Sequence, residues 1–536
     1  LVDDYGFAVK RRDLALIFLL TVLARSAVAM FQTHPGYMDA YYYTVGAERL
    51  AGGFGFTEPY VWNYLDDPAS LPHPSHLYWM PLPSMLGAAS MAIFGSSYRA
   101  AQIPFVLLSS VVPMIAYVIA WRATFQRRSA WIAVLLAIFS GFYVPVWGVP
   151  ESFAPFAVFG SLALLLAGVG RSKRAMLAAG LCAGLAHLTR ADGVLLLLPM
   201  FWAILQRMKD APGGPSPHSG GHGQGGGMKT AFILHPSSLI LGYLLIMLPW
   251  FARNLAVVGA PISPAGTQAL WLCDYDELFA YGAKLDLTHW LGCGLNQVAA
   301  AKLRALGSGL VHLIAENGLV FLAPLMAVGL WRMRRSRLFR PAILYLSLLY
   351  LAMTLAFTFV GDRGGLFHSS GALMPFLCAA APIGLDAIVA TIARRRRAWN
   401  AESARRVFGA GIVALAAIFS LAIVWSRVIG PDWNRADSAY RDAGAWLAGQ
   451  GDTDSIVVAG NPPGFTYHTG HPSIVIPNGD VTTLLEAAGR FGARWLILDA
   501  NRPAPLAALY DDPQADPRLK LSASFGDANL FEIEGR

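Results

Sequence analysis

Apolar runs close to the length that crosses about 30 Å of hydrocarbon return along this chain at 13–31, 101–121, 130–147, 153–170, 175–189, 193–207, 231–251, 311–331, 341–360, 371–391 and 407–428. Inside lipid each segment must satisfy its own backbone polar groups, so such runs fold as helices. The expected fold class is an α-helical polytopic membrane protein with about eleven crossings. A composition of 55% hydrophobic and 14% charged residues agrees, being far more apolar than a soluble domain needs.

The formal net charge of +8 raises the question of nucleic acid, but the cations gather in short clusters between apolar runs. These are Lys10-Arg11-Arg12, Arg122 with Arg127-Arg128, Arg171 with Lys173-Arg174, Arg207 with Lys209, the stretch from Trp331 to Arg340, and Arg394 to Arg397. Positive-inside bias accounts for them as cytoplasmic loops; the partner they imply is the lipid bilayer, with no nucleic acid. A full crossing at 78–95, "YWMPLPSMLGAASMAIFG", would carry Arg122, Arg127 and Arg128 to the outer face. Pro81 and Pro83 each remove a backbone donor, and Tyr78 and Trp79 suit headgroup level, so this stretch reads as interfacial or re-entrant. The amino terminus is then cytoplasmic and the carboxyl terminus extracytoplasmic, with the first run a retained anchor. A bacterial plasma membrane is the expected location.

Three outward segments are long enough to build something: about 32–77, about 252–310, and the tail. Residues 1–430 form the expected membrane domain. The tail, 431–536, mixes β-type runs such as "SIVVAG" and "RWLILDA" with helical patterns, which predicts a small extracytoplasmic α/β domain. The Gly/Pro-rich stretch within 211–228 predicts a disordered cytoplasmic linker. Cys273 and Cys293 share an outward loop, where an oxidising compartment allows a disulfide; sequence does not give their separation.

A carboxylate near the bilayer edge is unfavourable unless hydrated, paired or used, which singles out Asp39 in "GYMDAYYYTVGAERLAGGFGF". In a helix starting there, Tyr42 and Tyr43 share its face and their hydroxyls would orient it; an N-cap role is the alternative. The same loop carries Glu48, Glu58, Asp66 and Asp67, then His73 and His76. Asp39, His73 and His76 could hold a divalent cation, although the spacing matches no tight metal motif; no cofactor is fixed, and a metal stays open. Glu151, and Arg190 with Asp192, fall at outer ends of crossings on the side of Asp39. Arg190 either pairs with Asp192 or grips a phosphate, for which its planar fork is suited. Arg253, and Arg363 with His368, sit at outer edges too, and three arginines on one level suggest an anionic lipid headgroup. For Arg25, within the first run, snorkelling to the interface is the expectation. Asp274-x-Asp276 reads as loop surface.

Taken in order, "MDAYYYTVGAERLAGGFGF", "WMPLPSML", "VPESFAPF", "LAHLTRADGVLLLLP", "LPWFARNLAVVGAP" and "FHSSGALMPF" resemble the GT-C superfamily of integral-membrane glycosyltransferases over about residues 10–430. The resemblance is in particular to the relatives of protein O-mannosyltransferases and bacterial aminoarabinose transferases. The resemblance implies transfer of a sugar, with inversion, from a polyprenyl-phosphate donor to an acceptor hydroxyl of a protein, glycolipid or cell-envelope glycan outside the membrane. It implies Asp39 as general base, Glu151 as a second acidic position, and Arg190 as a cation meeting the donor phosphate. Arg253, Arg363 and His368 are the further phosphate-binding candidates; Tyr42, Tyr43, His73, His76 and Tyr78 would line the cleft. Tyr78-Trp79 departs from the Glu-Lys that aminoarabinose transferases carry before their Pro-Pro-Leu element, so an acceptor or metal contact there is not carried over, nor is lipid A as acceptor. The rival classes are a secondary transporter, which usually shows related halves and mid-bilayer polar groups that this sequence lacks, and a non-catalytic lipid-binding protein.

Overall fold

The computed structural model describes residues 10–209, 225–396, 399–430, 432–435 and 437–534. It is mostly helical, with a small sheet near the carboxyl end. Among the described residues five helices are long and apolar enough to cross a membrane: Tyr98–Thr124, Pro236–Val258, Leu295–Asn317, Thr358–Arg395 and the one that begins at Ala401. The protein is an integral membrane protein. The expected linker lies outside the described residues up to 224, and the helix Gly225–Val258 follows at once.

The first expected crossing is one unbroken helix of 19 residues, Arg11–Ala29; the others are shorter or broken, and each break has a local cause. The run 130–147 is a helix only over Arg127–Ile138, then a tight 3-10 stretch Gly141–Val146 that contains Pro145. The run 311–331 is split: one helix ends at Asn317, Leu319 and Val320 take left-handed backbone, and a new helix runs Ala323–Met333. Hydropathy sees neither break, because the interrupting residues are themselves apolar. The breaks pack on each other; a Cβ on Gly141 would lie 2.2 Å from the Leu319 side chain. Arg25 does not snorkel. It is 2% exposed, and its guanidinium donates to the carbonyls of Ile138 and Ala137 at 3.1 and 3.0 Å, satisfying the free end of the helix that stops there.

The helices Ala323–Met333 and Met374–Arg395 approach closely through glycine, as small residues allow in lipid. A Cβ on Gly384 would meet the Leu325 carbonyl oxygen at 1.9 Å, and backbone cannot rotate aside. Gly384→Val is therefore expected to destabilise the protein by about 1–3 kcal/mol, read as a lower melting temperature in detergent. Gly411→Val, where nothing lies within 4 Å of the added Cβ, should leave it unchanged.

Outside the bundle, the helix Met38–Ala51 opens the first outer loop and packs on Leu82–Phe94. At 13 residues the latter is about 20 Å long, too short to cross. The tail forms a sheet of six strands in the spatial order Tyr60–Val61, Ser473–Val475, Ile456–Ala459, Ala493–Leu498, Ala528–Ile533, Leu519–Phe525. Its first strand comes from the outer loop and pairs parallel to Ser473–Val475. Tyr64 adds a hydrogen bond to the Val475 carbonyl at 2.6 Å. Tyr41, on the outer-loop helix, donates to Asp437 and meets His468 Nε2 at 2.9 Å. Cys273 and Cys293 are joined in a disulfide, with Cα atoms 6.3 Å apart.

Candidate active site

Four backbone turns converge at one end of the bundle, and each delivers one polar side chain. Asp39 lies in the first turn of Met38–Ala51, where the helix dipole favours a negative charge. The N-cap position belongs to Tyr37, which makes no side-chain capping bond, so Asp39 is not the cap. Glu151 sits in the bend before the helix Phe153–Val169. Arg190 is the extended residue that ends the helix Lys173–Thr189. The chain then folds back so tightly that a Cβ on Gly193 would lie 2.7 Å from the backbone of Ala186 and His187. His368 is carried on the short helix Leu366–Ser370.

The carboxyl and imidazole ligand atoms of Asp39, Glu151 and His368 lie within 4.8 Å of one another. Glu151 is 1% exposed. Its Oε1 accepts from Ser152 Oγ at 2.6 Å and lies 3.1 Å from His368 Nδ1, while Oε2 accepts from the Phe153 amide at 3.3 Å. Arg190 Nε donates to Asp192 Oδ1 at 3.1 Å and to Ser369 Oγ at 2.9 Å, and Nη1 reaches Ser152 Oγ at 3.4 Å. Ser369 also donates to Asp192. The His368 ring stacks on Phe153 with centroids 4.0 Å apart. Behind it, Tyr143 donates to the Phe367 carbonyl at 2.7 Å, and Asn317 donates to Ser370 Oγ at 3.0 Å and to the Tyr143 hydroxyl at 3.1 Å. Tyr143 and Asn317 come from the two broken crossings, so the breaks supply the polar support under the site.

The two carboxyl groups are driven apart. Burial raises Asp39 to about 6; His368 opposes this and the Glu151 charge adds to it. Burial works to raise Glu151 as well, but His368 and the bonds donated around Ser152 outweigh it and hold Glu151 below the usual carboxylate range. Glu151 therefore stays charged and Asp39 is the group that titrates near neutrality, as happens when two acids share a site. Burial acts to lower Arg190, yet Asp192 and Glu151 win and raise it.

The remaining sequence candidates divide. Tyr43 is buried near the cluster, its phenol raised by burial first and then by the charge of Glu151. Tyr78 likewise is raised by burial and feels Tyr275, Arg190 and Asp39. Tyr42 turns away: its hydroxyl accepts from the His76 amide at 2.7 Å, whereas Tyr43 feels the charge of Asp39. Arg253 is not a free phosphate ligand, because its guanidinium donates to the carbonyls of Ser75 at 2.8 Å and Phe56 at 3.4 Å. Arg363 is exposed and lies over the Tyr275 ring at 5.0 Å. His73 and His76 do not join Asp39 in a metal-binding group. His73 is bound by Glu58, and His76 lies between Ser75 Oγ at 2.7 Å and Ser84 Oγ at 3.0 Å. Burial lowers these two imidazoles to about 4 and about 3. Asp274 Oδ1 accepts from the Asp276 amide at 3.0 Å, a local turn. Ser152 and Ser369, each adjacent to a singled-out residue, complete the site; a short hydroxyl beside a carboxylate or imidazole is the sequence signal that marks them.

Over residues 73–210 the chain matches the dolichyl-phosphate-mannose-protein mannosyltransferase family. No curated protein matches it. Among solved structures it is similar to the archaeal oligosaccharyltransferase AglB from Archaeoglobus fulgidus, in complex with an inhibitory peptide and a dolichol-phosphate, at 14% identity and a TM-score of 0.56 over 91% of this chain and 69% of that one. ArnT from Cupriavidus metallidurans bound to undecaprenyl phosphate matches at 13% identity and a TM-score of 0.56, over 98% of both chains. The arabinofuranosyltransferase AftD from Mycobacteria matches at 15% identity and a TM-score of 0.52, over 99% of this chain and 42% of that one. These likenesses show the fold: the chain has the membrane fold of the GT-C glycosyltransferases.

Proposed function

We propose, from that fold, that the protein is an inverting glycosyltransferase that moves a sugar from a polyprenyl-phosphate-linked donor to an acceptor hydroxyl at the outer face of the membrane. The observation that carries this reading is the convergence of Asp39, Glu151 and His368 on one point, with Arg190 beside them, at the end of an apolar bundle. A carboxylate that titrates near 6 suits a general base at neutral pH. Asp39 takes the proton of the acceptor hydroxyl, whose oxygen attacks the anomeric carbon opposite the phosphate. The carbon–oxygen bond to phosphate breaks and the phosphate leaves with the electron pair. Arg190, already charged and held by Asp192 and Ser369, stabilises that growing charge without reorganisation. Glu151 fixes His368, and Ser152 links both to Arg190.

Two of the similar structures hold dolichol-phosphate and undecaprenyl phosphate, which are lipid phosphates of the class this donor would release. Two carboxylates and one imidazole also fit a divalent cation, which when bound would add Lewis-acid stabilisation of negative charge. In this reading residues 1–430 are the membrane catalytic unit with the amino terminus cytoplasmic, 431–536 are extracytoplasmic, and the membrane is a bacterial plasma membrane. Acceptors are a protein, a glycolipid or a cell-envelope glycan.

Purified protein incubated with a panel of polyprenyl-phosphate sugars is expected to consume at least one donor and release polyprenyl phosphate. Consumption of none, with and without added divalent metal and membrane extract as acceptor source, would refute the reading.

A further inference from the structure

Away from the candidate active site, the first outer loop folds a second polar cluster into the protein. The two-residue strands Thr57–Glu58 and His73–Pro74 pair antiparallel, with Glu58 directly opposite His73. Residues opposite in such a pair project to the same face, and the intervening turn brings Asp66 to them. The carboxylate and imidazole ligand atoms of Glu58, Asp66 and His73 lie within 4.8 Å of one another. Glu58 is 2% exposed and His73 is 5% exposed.

Every one of the three keeps a buried side-chain atom with no hydrogen-bond partner: Glu58 Oε2, Asp66 Oδ1 and His73 Nδ1. Orphaned polar atoms of this kind are rare in folded proteins and call for a missing ligand. The charges of Arg253 and Arg49 act on Glu58, but neither guanidinium bonds to the two acids. Arg49 spends its guanidinium on Thr57, at 2.8 Å to the carbonyl and 2.7 Å to the hydroxyl, and Arg253 spends its own on Ser75 at 2.8 Å.

We propose that Glu58, Asp66 and His73 form a structural site for a divalent cation of the zinc type. Two carboxylates with one imidazole are donors that suit such an ion. His73 Nε2 donates to the Tyr60 carbonyl at 2.9 Å, so the unpartnered Nδ1 is the nitrogen left to hold an ion. Tyr60 begins the strand that joins the tail sheet, and Asp67, next to Asp66, pairs with Arg490 of the tail. The ion therefore fastens the loop at the point where bundle and sheet meet. This site is separate from Asp39, and the inference stands whether or not the proposed transfer reaction is right.

The test uses the full chain purified in detergent, loaded with Zn²⁺ alone, desalted, and assayed for zinc per chain by elemental analysis. Alongside it, the melting temperature is measured with Zn²⁺ and with EDTA. The wild type is expected to retain zinc and to melt higher with it. Asp66→Asn and His73→Gln should each lose about one equivalent and the zinc-dependent rise, whereas Asp39→Asn and Glu151→Gln, which remove only an ion held at the candidate active site, should keep that equivalent and that rise. Equal zinc and an equal rise in the Asp66 and His73 variants, or losses confined to the Asp39 and Glu151 variants, would overturn the proposal. Wild-type protein that retains no zinc overturns it whether or not any variant folds.

Discussion

Asp39→Asn should lower the rate of sugar transfer by about 10³-fold, within the range expected for loss of a positioned general base, while the protein still folds and still binds lipid phosphate. Asparagine keeps the size of the side chain and removes a negative charge from beside Glu151, so the variant has no reason to be less stable. The wild type should show the matching pH dependence. Burial raises Asp39 to about 6, and only its deprotonated form accepts the acceptor's proton. The rate per donor is therefore flat above that value and falls about tenfold per pH unit below it. The residual rate of Asp39→Asn should lack this acid limb. A variant that retains more than a tenth of the activity, or a wild-type profile with no fall below pH 6, would remove Asp39 from the chemistry.

Arg190→Ala carries the second large expected effect, a fall of 10²–10³ in kcat/KM, about 3–4 kcal/mol of transition-state stabilisation. The guanidinium is mostly buried and its position is set by Asp192, Ser369 and Ser152, so it meets a leaving phosphate without moving. Arg190→Lys keeps a charge but loses the planar fork, and should recover only part of the activity. Because alanine also leaves Asp192 unpaired, the measurement that separates function from folding is the affinity of well-folded Arg190→Lys for polyprenyl phosphate. Affinity and rate both equal to wild type would show that the phosphate is held elsewhere.

Much of this site was legible because its residues sit where hydropathy changes. Asp39 follows the first apolar run, and Glu151 and Arg190 end later ones, so topology alone put them on one side. Their distances were not legible, since they depend on how four helices pack. Direction around a helix was half legible: Tyr42 and Tyr43 both fall within one turn of Asp39, but Tyr42 is drawn off by the His76 amide. Arg253 illustrates a different limit. Its place at the outer edge was readable, whereas the two carbonyls that occupy it belong to a loop nearly two hundred residues earlier in the chain. The broken crossings were hidden for a third reason: Leu319 and Val320 contribute hydropathy like any helical residue and reveal nothing of their left-handed backbone. A strand of two residues, Tyr60–Val61, has no period to detect at all.

That short strand has a consequence for how relatives of this protein can exchange parts. Because the outermost parallel strand of the tail's sheet is lent by the first loop, the tail is not a detachable module. A chimera that grafts a foreign tail onto this bundle inherits an unmatched seam unless the loop travels with it.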